Sequence, residues 1–290
     1  MKATKATASI AAPLEGGKLY QERARAALPL LVRQAEAGVP IFYSDLAEEL
    51  GMPNPRNLNY VLGSIGQTME RLSKAWKEKV PAIQCLVVNK STGLPGEGIG
   101  WFLVKKEDFA SLPLRQKRSI VDAHLQHIYA YPRWREVLST LSLEPTSTDF
   151  SAILSKASSQ AGGGESEHHR KLKEYVARTP SVIGLPNSAE GVMEYSLPSG
   201  DCLDVSFRMA SQWVSVEVKS KISDEGDIAR GLFQCVKYRA IQEAVVLASS
   251  KEQNVRAMLV LGAALPLKLI PLRNLLSVEV LENIQPDRVG

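Results

Sequence analysis

The chain has 290 residues, of which 44% are hydrophobic and 23% charged. This is the composition of an ordinary globular protein and excludes a disordered, collagen-like or coiled-coil chain. The length predicts one large domain or two small ones. Uncharged apolar runs such as Met258–Leu267 are too short to span a bilayer, and the N-terminus lacks the continuous apolar core of a secretory signal. The three cysteines, Cys85, Cys202 and Cys235, are spaced too irregularly for a disulfide framework or a zinc site. We therefore expect a cytoplasmic protein without membrane association.

The net charge of +4 is unevenly distributed along the chain. Residues 1–160 contain 20 Lys+Arg and 15 Asp+Glu, whereas residues 161–290 contain 15 and 16. A basic first half and a near-neutral second half suit a protein that holds a polyanion with one part and acts on it with the other. Because the excess is only five charges, chance scatter is the alternative interpretation.

A stretch rich in Ser, Thr and Ala, from Glu144 to Gly164, ends in three consecutive glycines. Such a composition is typical of a flexible connection. It predicts an N-terminal domain over 1–145, a linker over 146–163 and a C-terminal domain over 164–290.

The N-terminal pattern begins with a helix over 18–37, closed by Gly38. After a brief second helix, Asn54 and Pro55 provide the N-cap and first position of a third helix. Two extended stretches, 82–89 and 98–104, follow around a turn. The third helix has a core-facing stripe at helical spacing, formed by Leu58, Val61, Leu62 and Ile65.

This order of elements is typical of a winged helix-turn-helix, and the polar side chains suit DNA. Arg, Asn and Tyr on the third helix carry the groups that read base edges in a major groove, and lysines on the flanks can contact phosphates. The alternative is a protein-interaction module whose polar residues are merely solvated. The candidate DNA-binding residues here are Arg56, Asn57, Asn59, Tyr60 and Lys90.

The stretch from Ile41 to Gly98 also resembles, in its order of elements, the DNA-binding part of the O6-alkylguanine-DNA alkyltransferases. That family carries its reactive cysteine in a Pro-Cys-His-Arg motif. Here Cys85 lies in Ile83-Gln84-Cys85-Leu86-Val87, without the His and Arg that would activate a thiolate. We therefore do not expect alkyl transfer, and interpret Cys85 as a small buried residue on a strand.

The C-terminal half contains two strand-like runs, 201–207 and 213–219, joined by a short polar connection. Side chains alternate between the two faces of a strand. If the runs pair as a hairpin with their apolar faces together, Asp204, Glu217 and Lys219 converge on one surface.

Two carboxylates and a lysine in this arrangement have a chemical use. Mg²⁺ takes oxygen ligands, commonly one or two carboxylates with substrate phosphate oxygens. Asp204, Glu217 and the Val218 carbonyl could supply these ligands, and the ion would activate water and neutralise charge on a scissile phosphate. Lys219 could orient that water and stabilise the developing charge. A simple surface Glu–Lys pair is the alternative.

Two predicted helices flank these strands. On the helix over 227–244, Gln234 and Tyr238 lie four residues apart on one face, with Arg230 a turn earlier. On the helix over 165–178, Glu165 and His169 fall on the buried stripe, and a metal-centred site is one reason for that placement. A first turn at the rim, with Glu165 near the helix N-terminus, is the other.

Together these residues resemble the PD-(D/E)XK nucleases, in particular the RecB-like members with a Gln-x-x-x-Tyr helix. Asp204 matches the motif Asp, Glu217 and Lys219 the Glu-x-Lys, and Gln234 and Tyr238 the helical pair. Leu203 stands where the motif has Pro. The resemblance implies two metal-ligating carboxylates, a water-orienting lysine, and a helical pair that contacts the substrate strand or the lysine. It also implies an acidic residue on the first helix, for which Glu165 is the candidate and Glu167 the second choice.

Together with the winged helix-turn-helix pattern of the first half, the resemblance predicts an α+β or α/β chain, in which the second half is a restriction-endonuclease-like αβββαβ core with strands over 192–197, 201–207, 213–219 and 245–249. The predicted function is a DNA endonuclease dependent on Mg²⁺, with Mn²⁺ as substitute, of the kind found in restriction or phage defence. Arg230 is a further candidate DNA contact. A homodimer is left open, because cutting both strands needs two sites. The alternative function is a non-catalytic DNA-binding or regulatory protein whose nuclease-like domain serves for binding or dimerisation.

Overall fold

The chain is a mixed α+β protein, seen here in a computed structural model. Its contacts divide it into two compact units, residues 1–148 and 149–290. The structure describes residues 11–103, 109–146, 149–159, 166–249 and 253–286. Among these residues no helix is both long enough and apolar enough to cross a membrane.

The first unit is mainly helical. Gly38 ends its first helix in the left-handed conformation, with φ +71°, as its position in the sequence predicts. The Asn54 side chain caps a 3₁₀ turn over Pro55–Asn57 by accepting from the Arg56 N–H at 3.0 Å. The regular elements are α1 Leu19–Ala37, β1 Ile41–Phe42, α2 Tyr43–Glu49, α3 Leu58–Trp76, β2 Val87–Val88, α4 Gly100–Leu103, α5 Leu114–Ala130 and α6 Trp134–Thr140.

The core of this unit lies between α1 and α3, which pack against each other. The predicted stripe of α3 is buried in it, since Leu58, Val61 and Ile65 are fully inaccessible. The polar residues Asn59 and Tyr60 remain exposed on the other side of the helix. The apolar periodicity therefore identified the inward face of α3.

The predicted pair of extended stretches after α3 is wrong. Within 82–89 only Val87–Val88 is strand, pairing in parallel with β1, and residues 97–103 form a 3₁₀ turn that continues into α4. A short apolar run fits a strand or a helix equally well, so packing decides. The Phe102 ring occupies the space where Gly66 of α3 has no side chain, and this contact favours the helical form. The strand pair expected for the wing is therefore not formed by the described residues.

The second unit is built around one mixed sheet. Its elements are α7 Ser151–Ser159, α8 Glu167–Arg178, β3 Gly191–Ser196, β4 Cys202–Arg208, β5 Gln212–Lys219, α9 Glu225–Ala248, β6 Asn254–Leu261, α10 Ile270–Leu276 and β7 Glu279–Leu281. The strands lie in the order β3-β4-β5-β6-β7. The first two pairings, β3 with β4 and β4 with β5, are antiparallel, whereas β5–β6 and β6–β7 are parallel.

Alternation along the strands places helices on opposite faces of this sheet. On β6, Met258 and Val260 share a hydrophobic cluster with Leu172 and Val176 of α8. The intervening Leu259 belongs to the cluster of α9. The sheet is therefore covered by α8 on one face and α9 on the other, which leaves its edges and strand ends as places for polar side chains.

Two predictions in this half are corrected. The flexible linker predicted over 146–163 contains α7, which packs on α9 through the cluster that includes Ile153 and Ala157. The strand predicted over 245–249 is the end of α9, and the strand that follows it is β6. Val246 is buried against Trp213 and Tyr238, so packing on the sheet keeps this β-branched segment helical despite its propensity.

Candidate active site

Asp204 lies where β4 parts from β5. Backbone pairing between the two strands runs from Arg208↔Trp213 to Val205↔Val216. One residue further on, the Asp204 carboxylate accepts a hydrogen bond from the Val218 N–H at 2.7 Å. The Asp204 side chain therefore replaces the next backbone hydrogen bond between the two strands. This hydrogen bond holds one oxygen of its carboxylate next to β5.

Glu217 is the most deeply placed acidic group of this site, with 3% of its surface exposed. Its Oε1 accepts from Lys219 Nζ at 2.8 Å, and its Oε2 accepts from the Tyr238 hydroxyl at 3.2 Å. The predicted hairpin therefore does bring Asp204, Glu217 and Lys219 together. The two carboxylates lie on adjacent strands, and the lysine contacts the cluster through Glu217.

The electrostatics of the cluster reflect burial and like charge. Loss of hydration raises the pKa of Glu217 to about 7, and the neighbouring Asp204 charge adds to this rise. The Lys219 ammonium opposes it without cancelling it. Burial also raises the pKa of the Tyr238 hydroxyl, with the Glu217 charge as the second cause. Tyr238 is therefore a neutral hydrogen-bond donor at physiological pH.

The predicted helical pair lies beside this cluster on α9. Gln234 Nε2 donates to the Tyr238 hydroxyl oxygen at 3.1 Å, and that hydroxyl lies within hydrogen-bond distance of both Glu217 and the Cys202 carbonyl. The spacing of four residues aligns the two side chains along one face of the helix. Gln234 thus orients Tyr238, and Tyr238 orients Glu217.

Helix α8 contributes His169 to this site. His169 Nε2 lies 3.3 Å from Asp204 Oδ1. Glu165 falls outside the described residues. Glu167, the second choice, is exposed and pairs with Arg170 and Lys171 of its own helix. In the sequence, the position of His169 on the inward-facing stripe of this helix had indicated that its side chain reaches the site.

The fit to a divalent cation rests on the donor set. Asp204 and Glu217 are hard oxygen donors whose mutual repulsion a cation would relieve, as the raised pKa of Glu217 indicates. The Val218 backbone adjoins them through its N–H. No group of three or more His, Cys, Asp or Glu arranged as metal ligands occurs among the described residues. The two carboxylates therefore fit a cation whose remaining ligands come from backbone, substrate or water.

Arg230 is engaged within its own unit. Its Nε donates to the Ala157 carbonyl of α7 at 3.1 Å, and its NH1 pairs with Asp227 at 3.0 Å. These contacts fasten α7 to the start of α9. They give Arg230 a structural role, and its predicted contact with DNA stays a prediction.

Three of the predicted DNA-contacting residues in the first unit meet in one place. Arg56, Asn59 and Lys90 line a groove of about 420 Å³ that is bordered by Tyr43 and Ser44. Asn57 is exposed on the 3₁₀ turn before α3. We refer to this feature, lined by Arg56, Asn59 and Lys90, as the basic groove.

Tyr60 and Cys85 lie apart from the basic groove. Tyr60 is exposed, with its ring 5.8 Å from that of Tyr20. Cys85 is completely buried, as predicted, although in a 3₁₀ turn rather than a strand. Burial raises the pKa of its thiol to about 12. The thiol is therefore protonated and unreactive at neutral pH.

Comparison with protein-family profiles, with curated proteins and with solved structures gives no match to this chain.

Proposed function

We propose that this protein is a metal-dependent deoxyribonuclease that hydrolyses phosphodiester bonds at the cluster of Asp204, Glu217 and Lys219. The observation that carries the proposal is the juxtaposition of the two carboxylates with the lysine where two strands part. Glu217 is buried and Asp204 is partly buried, and their mutual repulsion raises the free energy of the protein when nothing compensates it. Their retention beside an ammonium group is explained by a cation and a phosphate that complete the charge balance.

In this proposal Asp204 and Glu217 hold a Mg²⁺ or Mn²⁺ ion, assisted by the backbone at Val218. Such an ion supplies water activation and neutralises charge on the phosphate. The fixed hydrogen bond from the Val218 N–H prevents Asp204 from rotating away when no cation is bound. The Tyr238 hydroxyl holds Glu217 in the same manner. Both carboxylates are thus oriented before any substrate arrives.

Lys219 is the residue proposed to act on the reacting groups. Its ammonium is 12% exposed at the side chain and lies 2.8 Å from Glu217, so it can exchange this partner for a phosphate oxygen or an attacking water. His169, beside Asp204, is proposed as a positioning residue for that carboxylate. In this proposal the Lys219 ammonium orients the attacking water, and the carboxylates of Asp204 and Glu217 bind the metal ion.

The basic groove of the first unit is proposed to hold the DNA backbone. Arg56 and Lys90 provide two cations and Asn59 an amide within one concave surface. Such contacts neutralise phosphates and release counterions, so they supply affinity that falls steeply with salt concentration. In this proposal the first unit holds the DNA and the second unit cuts it, which agrees with the excess of Lys and Arg in the first half of the sequence.

The test is incubation of the purified chain with supercoiled plasmid in Mg²⁺, Mn²⁺ or EDTA, next to two matched variants. Asp204→Asn removes a proposed ligand with little change in shape. Asp201→Asn, on the same stretch, removes an acidic group that instead pairs with Lys237. We expect metal-dependent nicking by wild type and by Asp201→Asn, and at least a hundredfold loss in Asp204→Asn.

Gel shifts with the same proteins separate cutting from binding. If all three proteins shift DNA and none cuts it in any metal, the proposal is wrong and the non-catalytic DNA-binding function is favoured. Substitution of Arg56 or Lys90 should weaken the shift and reduce its dependence on salt. An unchanged shift would show that the basic groove is not the DNA-binding surface.

A further inference from the structure

A further ion pair lies beside the candidate active site, between Lys173 of α8 and Glu194 of β3. The Lys173 ammonium and Glu194 Oε1 are 2.5 Å apart. The backbone pairings on either side place Glu194 opposite Asp204 on the neighbouring strand β4. On α8, Lys173 follows four residues after His169, which contacts Asp204. The ion pair therefore adjoins the proposed cation site, although the proposed reaction does not use it.

Electrostatic effects on Cys202 also place this pair close to the cluster. Burial raises the pKa of the Cys202 thiol, and the charges of Glu194 and Asp204 are the next causes of the rise. The Lys173 ammonium opposes the rise. A single thiol thus experiences both members of the ion pair together with a proposed metal-binding carboxylate.

The two partners of the ion pair differ in their exposure to solvent. The Lys173 side chain is 6% exposed, whereas the Glu194 side chain is 67% exposed. A buried ammonium requires partners in the protein or the substrate, because it has lost its hydration. A solvated carboxylate loses little free energy when it leaves an ion pair for water. Glu194 is therefore the partner that another anion can replace, and that anion can approach from the side that Glu194 occupies.

The backbone at Glu194 turns this carboxylate towards the lysine. Glu194 has φ +56°, a left-handed conformation that is rare for residues with a long side chain and is often found at functional sites. Before it, a Cβ at Gly191 would meet Ala177 of α8. After it, the Tyr195 ring contacts Trp213 in the cluster on the α9 side. In a regular strand residues 191 and 195 share a face and residue 194 takes the other, so the change of face at Glu194 is what brings its side chain to α8.

We propose that Lys173 binds a phosphate of the DNA strand next to the scissile one, and that Glu194 occupies this phosphate position until the DNA arrives. The inference rests on the proposed function, because it places the strand beside the same cluster. Phosphate is the anion that DNA itself brings, and its oxygens accept from an ammonium as a carboxylate does. The displaced Glu194 side chain returns to water. Lys173 thus positions the strand, and Glu194 lowers the affinity for DNA.

The test is fluorescence anisotropy of a labelled duplex with the full chain in EDTA, so that the DNA stays intact. We expect Glu194→Gln to strengthen binding about threefold, the effect of freeing Lys173 from a partly exposed ion pair. Lys173→Met should weaken binding about tenfold, because a hydrogen bond between charged groups is lost. Lys173→Arg keeps a cation that binds phosphate and should bind DNA nearly as wild type does.

Glu190→Gln is the matched control, because it removes the same charge at an exposed glutamate just before β3. Long-range attraction to DNA should make it strengthen binding only slightly. Glu194→Gln should exceed this control when Lys173 is present, and the excess should vanish when residue 173 is already Met. Such coupling separates displacement of Glu194 from a general effect of charge.

Glu194→Gly makes the test independent of the Gln variant. Glycine adopts the left-handed backbone without strain, so this variant should strengthen binding as Glu194→Gln does without lowering the melting temperature. A purely structural ion pair predicts the opposite, a lower melting temperature and no gain in affinity. If Glu194→Gln and Glu190→Gln strengthen binding equally, this inference is wrong and the nuclease proposal stands. If wild type binds no DNA, both are wrong.

Discussion

Replacing Glu217 by Gln tests the electrostatics of the candidate active site without altering its shape. Glu217 is buried and lies close to Asp204, and the two effects raise its pKa to about 7, compared with 4.5 for a solvated glutamate. The folded protein therefore holds a proton on this carboxyl over a range of pH in which the unfolded chain has released it. In wild type this raised pKa is a source of instability at high pH.

The sign and size of the effect follow from proton linkage. Between about pH 4.5 and pH 7 the folded state binds more protons at Glu217 than the unfolded state, so the free energy of unfolding decreases as the pH rises. Each unit of pKa shift corresponds to about 1.4 kcal/mol. The rise of Glu217 therefore amounts to about 3 kcal/mol, fully present below pH 4.5 and lost above pH 7. The Glu217→Gln variant has no titrating group at this position, so its free energy of unfolding lacks this pH-dependent contribution.

The assay is urea denaturation of wild type and Glu217→Gln in EDTA at a series of pH values from about 4.5 to 8. Titrating groups distant from residue 217 cancel in the difference between the two proteins. We expect the wild-type free energy of unfolding to fall by about 3 kcal/mol relative to the variant. Added Mg²⁺ should restore most of it in wild type alone.

A difference that stays flat with pH would refute this reasoning, because it would mean that Glu217 titrates normally and is not desolvated beside Asp204. A difference that rises with pH would mean that Lys219 dominates and lowers the pKa instead. Either result would contradict the repulsion between Glu217 and Asp204 from which the cation site is inferred.

Two further predictions concern packing and thiol chemistry. Gly191→Ala should lower the free energy of unfolding by about 1–3 kcal/mol, since a Cβ there would lie 2.5 Å from a backbone carbonyl oxygen of α8. Gly98→Ala is the control, because a Cβ at Gly98 meets no atom within 4 Å, and it should leave the free energy of unfolding nearly unchanged. Thermal denaturation compares the two variants, and equal effects would contradict the close contact at Gly191. A maleimide reagent should label the exposed Cys202 long before the buried Cys85 and Cys235, as followed by mass spectrometry, and early labelling of Cys85 would contradict its burial.

The candidate active site was largely predictable from the sequence because strand alternation is a local property. The apolar residues of the two runs fixed which face each side chain takes, and the hairpin then had to bring Asp204 next to Glu217. The spacing of Gln234 and Tyr238 on one helix face worked in the same way. The backbone pairing of the two strands ends at Val205, which leaves Asp204 to accept from a backbone N–H, and nothing in the local sequence marks this end.

The errors arose where tertiary packing decides between structures of similar local propensity. Residues 98–103 form a short apolar run, and the contact of Phe102 with Gly66, far away in sequence, makes it helical. The segment 149–159 has the composition of a linker but carries enough apolar side chains to pack as α7.

The most direct test of the central claim compares DNA cleavage by Lys219→Met and Lys221→Met. Lys219 contacts Glu217 within the cluster, whereas Lys221 is exposed two residues further on, so the two variants lose the same charge in different places. With a labelled duplex and Mg²⁺, we predict metal-dependent cleavage by wild type and Lys221→Met, and its loss in Lys219→Met with DNA binding retained. Equal cleavage by both variants, or none by wild type in any divalent metal, would contradict the assignment of this cluster as a nuclease active site.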